Sequence, residues 1–378
     1  MTDQRELPGS PGELVLSVTG ATKRFGGVAA VTDLSLELAS GELLALLGPS
    51  GCGKTTALRL IAGLEAPDGG VVTIGGRMVA GAGVFVPPER RHVGMVFQDF
   101  ALFPHMTVAD NVSFGLQGWD RKAQARRVRE VLEMVRLEHF ARRYPHELSG
   151  GERQRVALVR ALAPGPLIVL LDEPFSNLDP ALRVQLRQEV RELLKACGTA
   201  AIFVTHDQDE ALFLGDRVAV MKEGRVEQVG PPEEVFHHPK TPFVATFLGR
   251  ADLLPATVTD RGLLAEGVSF EQAVALAPGT RVEVAMRPDD VALEPLPGAN
   301  GSHGEARVEA RWFRGTHHLY RVALPSGAKV HSLQPHTVRL EVGTAVVVRI
   351  KPGRSVTFFA NGSPLCNGSL VDDRQPVP

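Results

Sequence analysis

The stretch Gly48-Pro49-Ser50-Gly51-Cys52-Gly53-Lys54-Thr55-Thr56 constrains the fold more than any other part of the chain. It follows the pattern of a Gly, four residues, then Gly-Lys-Ser/Thr. Apolar Leu43 to Leu47 ahead of it reads as a buried strand, and Ala57 to Ala62 behind it as a helix stopped by Gly63. That arrangement suits a phosphate. Glycines let the backbone wrap closely and aim N–H groups inward, and a helix N-terminus adds free donors and partial positive charge. Lys54 can reach the β- and γ-phosphates, and the Thr55 hydroxyl can ligate Mg²⁺. The loop therefore predicts an α/β domain that binds a nucleoside triphosphate.

The remaining apolar runs extend this domain. Val93-Gly94-Met95-Val96-Phe97 reads as a strand ending at Gln98. Leu167 to Leu171 is continuously apolar, as a central parallel strand should be, and delivers Asp172 and Glu173. Adjacent carboxylates there are costly unless solvated, paired or metal-bound; one can serve Mg²⁺ while its neighbour polarises water. Ala201 to Thr205 is another buried strand, ended by His206. The phosphate loop, Gln98, Asp172-Glu173 and His206 thus all follow strands, at the edge where open α/β sheets bind ligands.

Between these strands, residues 100–164 have a helical texture, with Val128, Val131, Leu132 and Val135 at helical spacing. Ser149-Gly150-Gly151 opens a helix there, a second anion-binding geometry. Asp179-Pro180 reads as an N-cap followed by a first helical residue.

The 378 residues are too many for one ordinary domain, so two or three are expected. A net charge of −2 gives no electrostatic case for a nucleic-acid partner. The three cysteines, Cys52, Cys197 and Cys366, are scattered and odd in number, a reducing-compartment pattern. The first residues lack a secretory pattern, and no apolar run approaches the ~20 residues that span a bilayer. A soluble, cytoplasmic chain is expected, reaching a membrane only through partners.

These motifs together resemble the ATP-binding subunit of ABC transporters, from about Leu14 to Val235. The resemblance rests on the phosphate loop, Gln98, the signature Leu148-Ser149-Gly150-Gly151-Glu152, the strand 167–173, the loop 176–179 and His206, in the family's order and spacing. It implies a P-loop NTPase, a RecA-like core plus helical subdomain, spanning 14–240 with the helical part at about 99–164. By resemblance Phe25 stacks on adenine, where the family often has Tyr. The resemblance makes Glu173 the general base, with Thr55, Gln98 and Asp172 holding Mg²⁺ directly or through water. His206 would contact the γ-phosphate. A head-to-tail homodimer would place each ATP between one phosphate loop and the partner's Ser149-Gly150-Gly151, with Asp179 signalling across the interface. Glu152 stands where the signature usually has Gln.

The C-terminal third changes texture again. Arg281 to Met286, Ala306 to Ala310, Leu319 to Leu324 and Val346 to Ile350 read as short strands split by Gly/Pro turns, as in a small barrel. Met286-Arg287-Pro288-Asp289-Asp290-Val291 resembles the transport-associated OB domain of importer ATPases, expected over 250–355 with a disordered tail over 361–378. The importer resemblance implies two permease subunits, an extracytoplasmic binding protein reached indirectly, and a place on the cytoplasmic membrane face. The textures of Phe97 to His105 and Trp312 to Tyr320 look most like ferric-iron importers, with polyamine importers next. His303, His317, His318, His331 and His336 have no diagnostic metal-ligand spacing. A soluble repair or translation ATPase is the competing class. Its repair members carry long coiled coils between loop and signature, whereas here about a hundred residues show no sustained heptads. Translation members usually carry two cassettes per chain, and here there is one.

Overall fold

The computed structural model describes residues 12–370 except 177, 261, 266–267, 271–275, 297–304, 353, 355 and 367–368. Residues 1–11, Asn177, His303 and the last residues 371–378 of the expected tail lie outside the described residues. The chain divides into two compact units between Pro232 and Glu233.

In the first unit, β1 (Leu14–Phe25) and β2 (Val28–Ala39) form a hairpin turned by Gly26-Gly27, both at positive φ, the geometry a two-residue turn demands. Then come β3 (Leu43–Leu47), α1 (Lys54–Ala62), β4 (Gly69–Ile74), β5 (Arg77–Gly81), β6 (Val84–Phe85) and β7 (Val93–Val96). The helical stretch holds α2 (Val108–Ser113), α3 (Arg121–Met134) and α4 (Gly150–Leu162). The unit continues with β8 (Ile168–Asp172), α5 (Pro180–Cys197), β9 (Ala200–Thr205), α6 (Gln208–Leu214), β10 (Arg217–Lys222) and β11 (Arg225–Gly230).

Two sheets result. One is antiparallel, in the order β2-β1-β4-β5-β6. The other runs β11-β10-β3-β9-β8-β7, parallel except for the edge strand β11. β3, β8 and β9 are buried along their whole length, which explains their unbroken apolar sequences. One apolar core joins Leu16, Leu34 and Leu38 of the antiparallel sheet to Leu44, Leu46 and Ile202 of the parallel one, with α1. A separate core, including Val112, Val131, Leu132 and Val159, holds the helical stretch together. α5 begins as its sequence indicates, with Asp179 accepting from the Leu182 N–H at 3.0 Å and Pro180 next.

α7 (Pro232–His237) starts on the last residue of the first unit and otherwise belongs to the second, as does α8 (Pro242–Gly249). Residues 233–240, expected in the first domain, group here instead. Arg287 explains why: it donates to the Phe236 carbonyl, lies over the Phe236 ring at 4.4 Å, and passes where a Cβ on Gly249 would be, 2.6 Å from its Nε. The strands that follow are β12 (Asp252–Thr259), β13 (Gly262–Ala265), β14 (Val268–Phe270), β15 (Arg281–Met286), β16 (Val291–Pro295), β17 (Ala306–Phe313), β18 (His317–Ala323), β19 (Lys329–Pro335), β20 (Ala345–Ile350), β21 (Thr357–Ala360), β22 (Ser363–Cys366) and β23 (Ser369–Leu370). They make two antiparallel sheets over one core that includes Leu254, Val284, Leu293, Tyr320 and Phe358. This is the all-β domain expected after the NTPase domain, but it runs past 355. The expected tail is corrected as well, because Ser363–Cys366 pairs with β21. Asn361 and Gly362 sit at φ +52° and +82°, so Asn-Gly makes the tight hairpin turn that joins the two strands.

Candidate active site

Four neighbouring strands of the parallel sheet, β3, β9, β8 and β7, lead to polar groups at the same edge, and the register keeps that edge level. Leu47 pairs with Thr205, Asp172 with Val204, and Val96 with Leu171. The residues just beyond these pairs are the phosphate loop, His206, Glu173 and the turn carrying exposed Gln98.

The loop is held by close packing. A Cβ on Gly48 would lie 2.5 Å from the Met221 carbonyl oxygen and 2.6 Å from Cys52 Sγ; one on Gly53, at φ +104°, would lie 2.2 Å from the Ala30 oxygen. Only glycine fits either place. Lys54 is buried, its Nζ donating to the Gly48 and Pro49 carbonyls at 2.7 and 3.0 Å. Cys52 Sγ lies 3.9 Å from that ammonium; burial pushes its thiol pKa up, and the Lys54 charge pulls against it. No side chain caps α1, so none competes for its first N–H groups.

Across the sheet, the Thr55 hydroxyl donates to Asp172 Oδ1 at 3.0 Å. Burial pushes the Asp172 pKa up against that bond, and Glu173 pushes it further. Glu173 is a non-glycine residue at φ +45°, a disfavoured conformation held by its N–H to the Val204 carbonyl at 3.1 Å. This turn sets its Oε1 3.3 Å from His206 Nδ1.

The other expected site residues stand apart. Phe25 is 45 % exposed at the end of β1, with Lys23 Nζ 5.2 Å from its ring. Ser149, Gly150, Gly151 and Glu152 belong to the helical stretch, where Gly150 packs near Leu178 and Gly151 near Leu182 and Leu186. The start of the signature helix therefore packs beside Leu178, next to Asp179, and against α5. Ser149 and Glu152 form a capping box: the Ser149 N–H donates to Glu152 Oε2 at 2.7 Å, and the Glu152 N–H donates to Ser149 Oγ at 3.4 Å.

One network was not read from the sequence. Buried Arg187 of α5 donates to Glu210 Oε1 at 2.7 Å and to Asp207 Oδ2 at 3.0 Å. The Thr205 hydroxyl donates to Glu210 Oε2, and the Asp207 N–H donates to Thr205 Oγ1 at 2.9 Å. Both neighbours of His206 are therefore locked. The available signal was an arginine on the otherwise apolar face of α5, next to Leu186 and Val190. Among the described residues no cluster of three or more His, Cys, Asp or Glu could hold a metal, so the C-terminal histidines form no such site there. Nor is any described helix long and apolar enough to cross a membrane.

A glycine loop between β3 and α1, level with paired carboxylates and a histidine at the same sheet edge, defines a P-loop NTPase. Residues 31–176 match the ABC transporter family and 284–358 match the TOBE domain. The spermidine/putrescine import ATP-binding protein PotA of Nitratidesulfovibrio vulgaris is 44 % identical over 84 % of this chain and 88 % of its own. The sulfate/thiosulfate import ATP-binding protein CysA of Burkholderia pseudomallei is 48 % identical over 78 % and 85 %. Among solved structures, a dimeric post-hydrolysis state of the ATP-binding cassette MJ0796 bound to ADP and Pi is similar, with TM-score 0.51 and 34 % identity, covering 57 % of this chain and 98 % of that one. So is cbiO1 from Clostridium perfringens, with TM-score 0.55 and 31 % identity, covering 59 % and 90 %. The chain belongs to the ABC transporter family, as an ATP-binding subunit of the importer type. It is an ATPase, the motor of an importer.

Proposed function

We propose that this motor hydrolyses ATP at the level edge of the parallel sheet to drive polyamine uptake. The observation that carries the chemistry is the pair of contacts Thr55–Asp172 and Glu173–His206 on neighbouring strand ends. In this reading the phosphates lie on the loop Gly48–Thr56, with Lys54 moving from the loop carbonyls to their charge. The Glu173 carboxylate takes the proton from the attacking water, and His206 contacts the γ-phosphate. Catalysis is then mainly positioning and electrostatics. The Thr55 hydroxyl and Asp172 carboxylate are hard oxygen donors 3.0 Å apart, a set that suits Mg²⁺, with Gln98 completing it directly or through water. Bound there, Mg²⁺ would neutralise phosphate charge. Glu173→Gln should keep ATP binding but lower turnover by about 10²–10⁴-fold, because an amide cannot accept the proton. Near-normal steady-state hydrolysis in this variant would remove Glu173 from the role.

Two copies would associate head to tail; that a solved relative is a dimer supports the pairing. Phe25 would stack on adenine, Ser149 to Glu152 would face the partner's nucleotide, and Asp179 would lie at the interface. Two permease subunits would seat the dimer on the cytoplasmic membrane face, supplied by an extracytoplasmic binding protein. The cargo reading moves from ferric iron to polyamine, because the relatives described above are named for polyamine and for sulfate. Sulfate relatives reach 48 % identity, but polyamine relatives align over more of the chain, up to 90 %. Radiolabelled uptake in cells lacking this chain tests the cargo. Loss of spermidine and putrescine uptake is expected; intact polyamine uptake with lost sulfate or ferric-iron uptake would overturn it.

A further inference from the structure

The loop that follows Gln98 carries two consecutive non-glycine residues in left-handed backbone, Phe100 at φ +65° and Ala101 at φ +43°. Glycine adopts this conformation freely; phenylalanine and alanine do so only when their surroundings hold them there. The holder is visible. Arg160, in the last turn of α4, donates through Nη1 to the Ala101 carbonyl at 2.6 Å and through Nη2 to the Phe100 carbonyl at 3.0 Å. Its guanidinium also lies 5.5 Å from the centre of the Phe103 ring. Among the described residues, every side-chain hydrogen bond of Arg160 goes to these two carbonyls, and it forms no ion pair with a carboxylate. Phe100 is buried, and its own N–H closes the turn onto the Phe97 carbonyl at 2.9 Å. The far end of the segment is fixed independently by Asn111, which binds both the N–H and the carbonyl of Phe103.

We propose that Arg160 is a positioning residue for hydrolysis: it clasps the left-handed turn at Phe100-Ala101 and so sets Gln98 at the sheet edge. The clasp also ties the helix that starts at Ser149 to the loop that carries Gln98. A shift of α4 therefore pulls on the Gln98 loop of the same chain. This inference rests on the role given to Gln98 above. Lysine cannot replace the guanidinium here, because one ammonium cannot reproduce the planar two-pronged grip on adjacent carbonyls.

The test uses the full-length chain with Arg160→Ala, Arg160→Lys, Gln98→Ala and the double variant Arg160→Ala/Ala101→Gly. Arg160→Ala should speed amide hydrogen exchange in the 97–103 segment by about tenfold or more while leaving β8 protected. It should lower kcat as Gln98→Ala does, with ATP affinity little changed, and Arg160→Lys should fall between. Glycine at 101 adopts positive φ without penalty, so the double variant should recover part of the lost turnover. Unchanged exchange in 97–103 in Arg160→Ala would overturn the clasp. So would a turnover loss that the glycine does not relieve, accompanied by faster exchange throughout the first unit, since Arg160 would then be a folding residue only. If Gln98→Ala hydrolyses ATP normally, the Gln98 role fails, and the clasp is then decided by the exchange and glycine-rescue results.

Discussion

Two helices in the first unit begin on glycine-rich turns, and they treat their free N–H groups in opposite ways. α1 starts from Gly53 at φ +104° with no side chain on its terminus. α4 starts from Ser149 in extended backbone, with the Ser149 hydroxyl and the Glu152 carboxylate capping each other's N–H groups. The Ser149 backbone N–H, with help from its hydroxyl, holds the Glu152 carboxyl below the ordinary glutamate range. An anion meeting α1 finds donors no side chain has claimed. An anion meeting α4 finds a terminus already partly satisfied and a negative charge beside it. The first is open to a phosphate; the second is partly closed to one, and in the proposed head-to-tail dimer it would meet the partner's nucleotide. The difference also accounts for Glu152 where the family's signature usually has Gln: either residue completes a capping box.

The largest expected effects separate the two termini directly. Lys54→Ala should abolish nucleotide binding in the monomer, measured by equilibrium titration. Ser149→Arg should leave that binding largely intact but abolish hydrolysis. Mixing the two variants should restore some hydrolysis, because one composite site of the heterodimer keeps both intact halves. A mixture that stays dead would break the division of labour between α1 and α4.

A smaller effect tests the cap itself. Glu152→Gln keeps an acceptor for the Ser149 N–H, so stability should change by less than the ~1 kcal/mol of a lost cap. Removing the charge should strengthen ATP-driven dimerisation at low salt, read by sedimentation. The smallest effect is its pH dependence. The folded-state Glu152 pKa is depressed, so its contribution is full above the ordinary glutamate range and is lost as pH falls through the depressed value. Melting temperatures of the wild type and Glu152→Gln should therefore converge in acid. Melting curves that stay parallel in acid would mean that the Glu152 charge contributes nothing to the cap.

Local chemistry made much of this molecule legible in advance. The phosphate loop, the buried runs Leu43–Leu47 and Ile168–Asp172, and the Asp179-Pro180 helix start each depend on neighbours a few residues away. Strand endings such as Asp172-Glu173 and His206 could be recognised singly for the same reason. The Asn361-Gly362 turn carries an equally local signal, although the sequence from 361 onward reads as a tail. Other features depend on partners far along the chain, and spacing cannot reveal those. β3 pairs with β9 and β10, more than 150 residues later, because that pairing buries both faces of each strand. Only this order makes the strand ends level, so that Thr55 meets Asp172 and Glu173 meets His206. The grip of Arg160 on the Gln98 loop, the Arg187 network around His206, and the attachment of α7 and α8 to the second unit through Arg287 are of the same kind. Each places a charged side chain according to which backbone carbonyls and carboxylates packing has brought within reach. An arginine in a helical pattern reads as solvated surface until its neighbours are known.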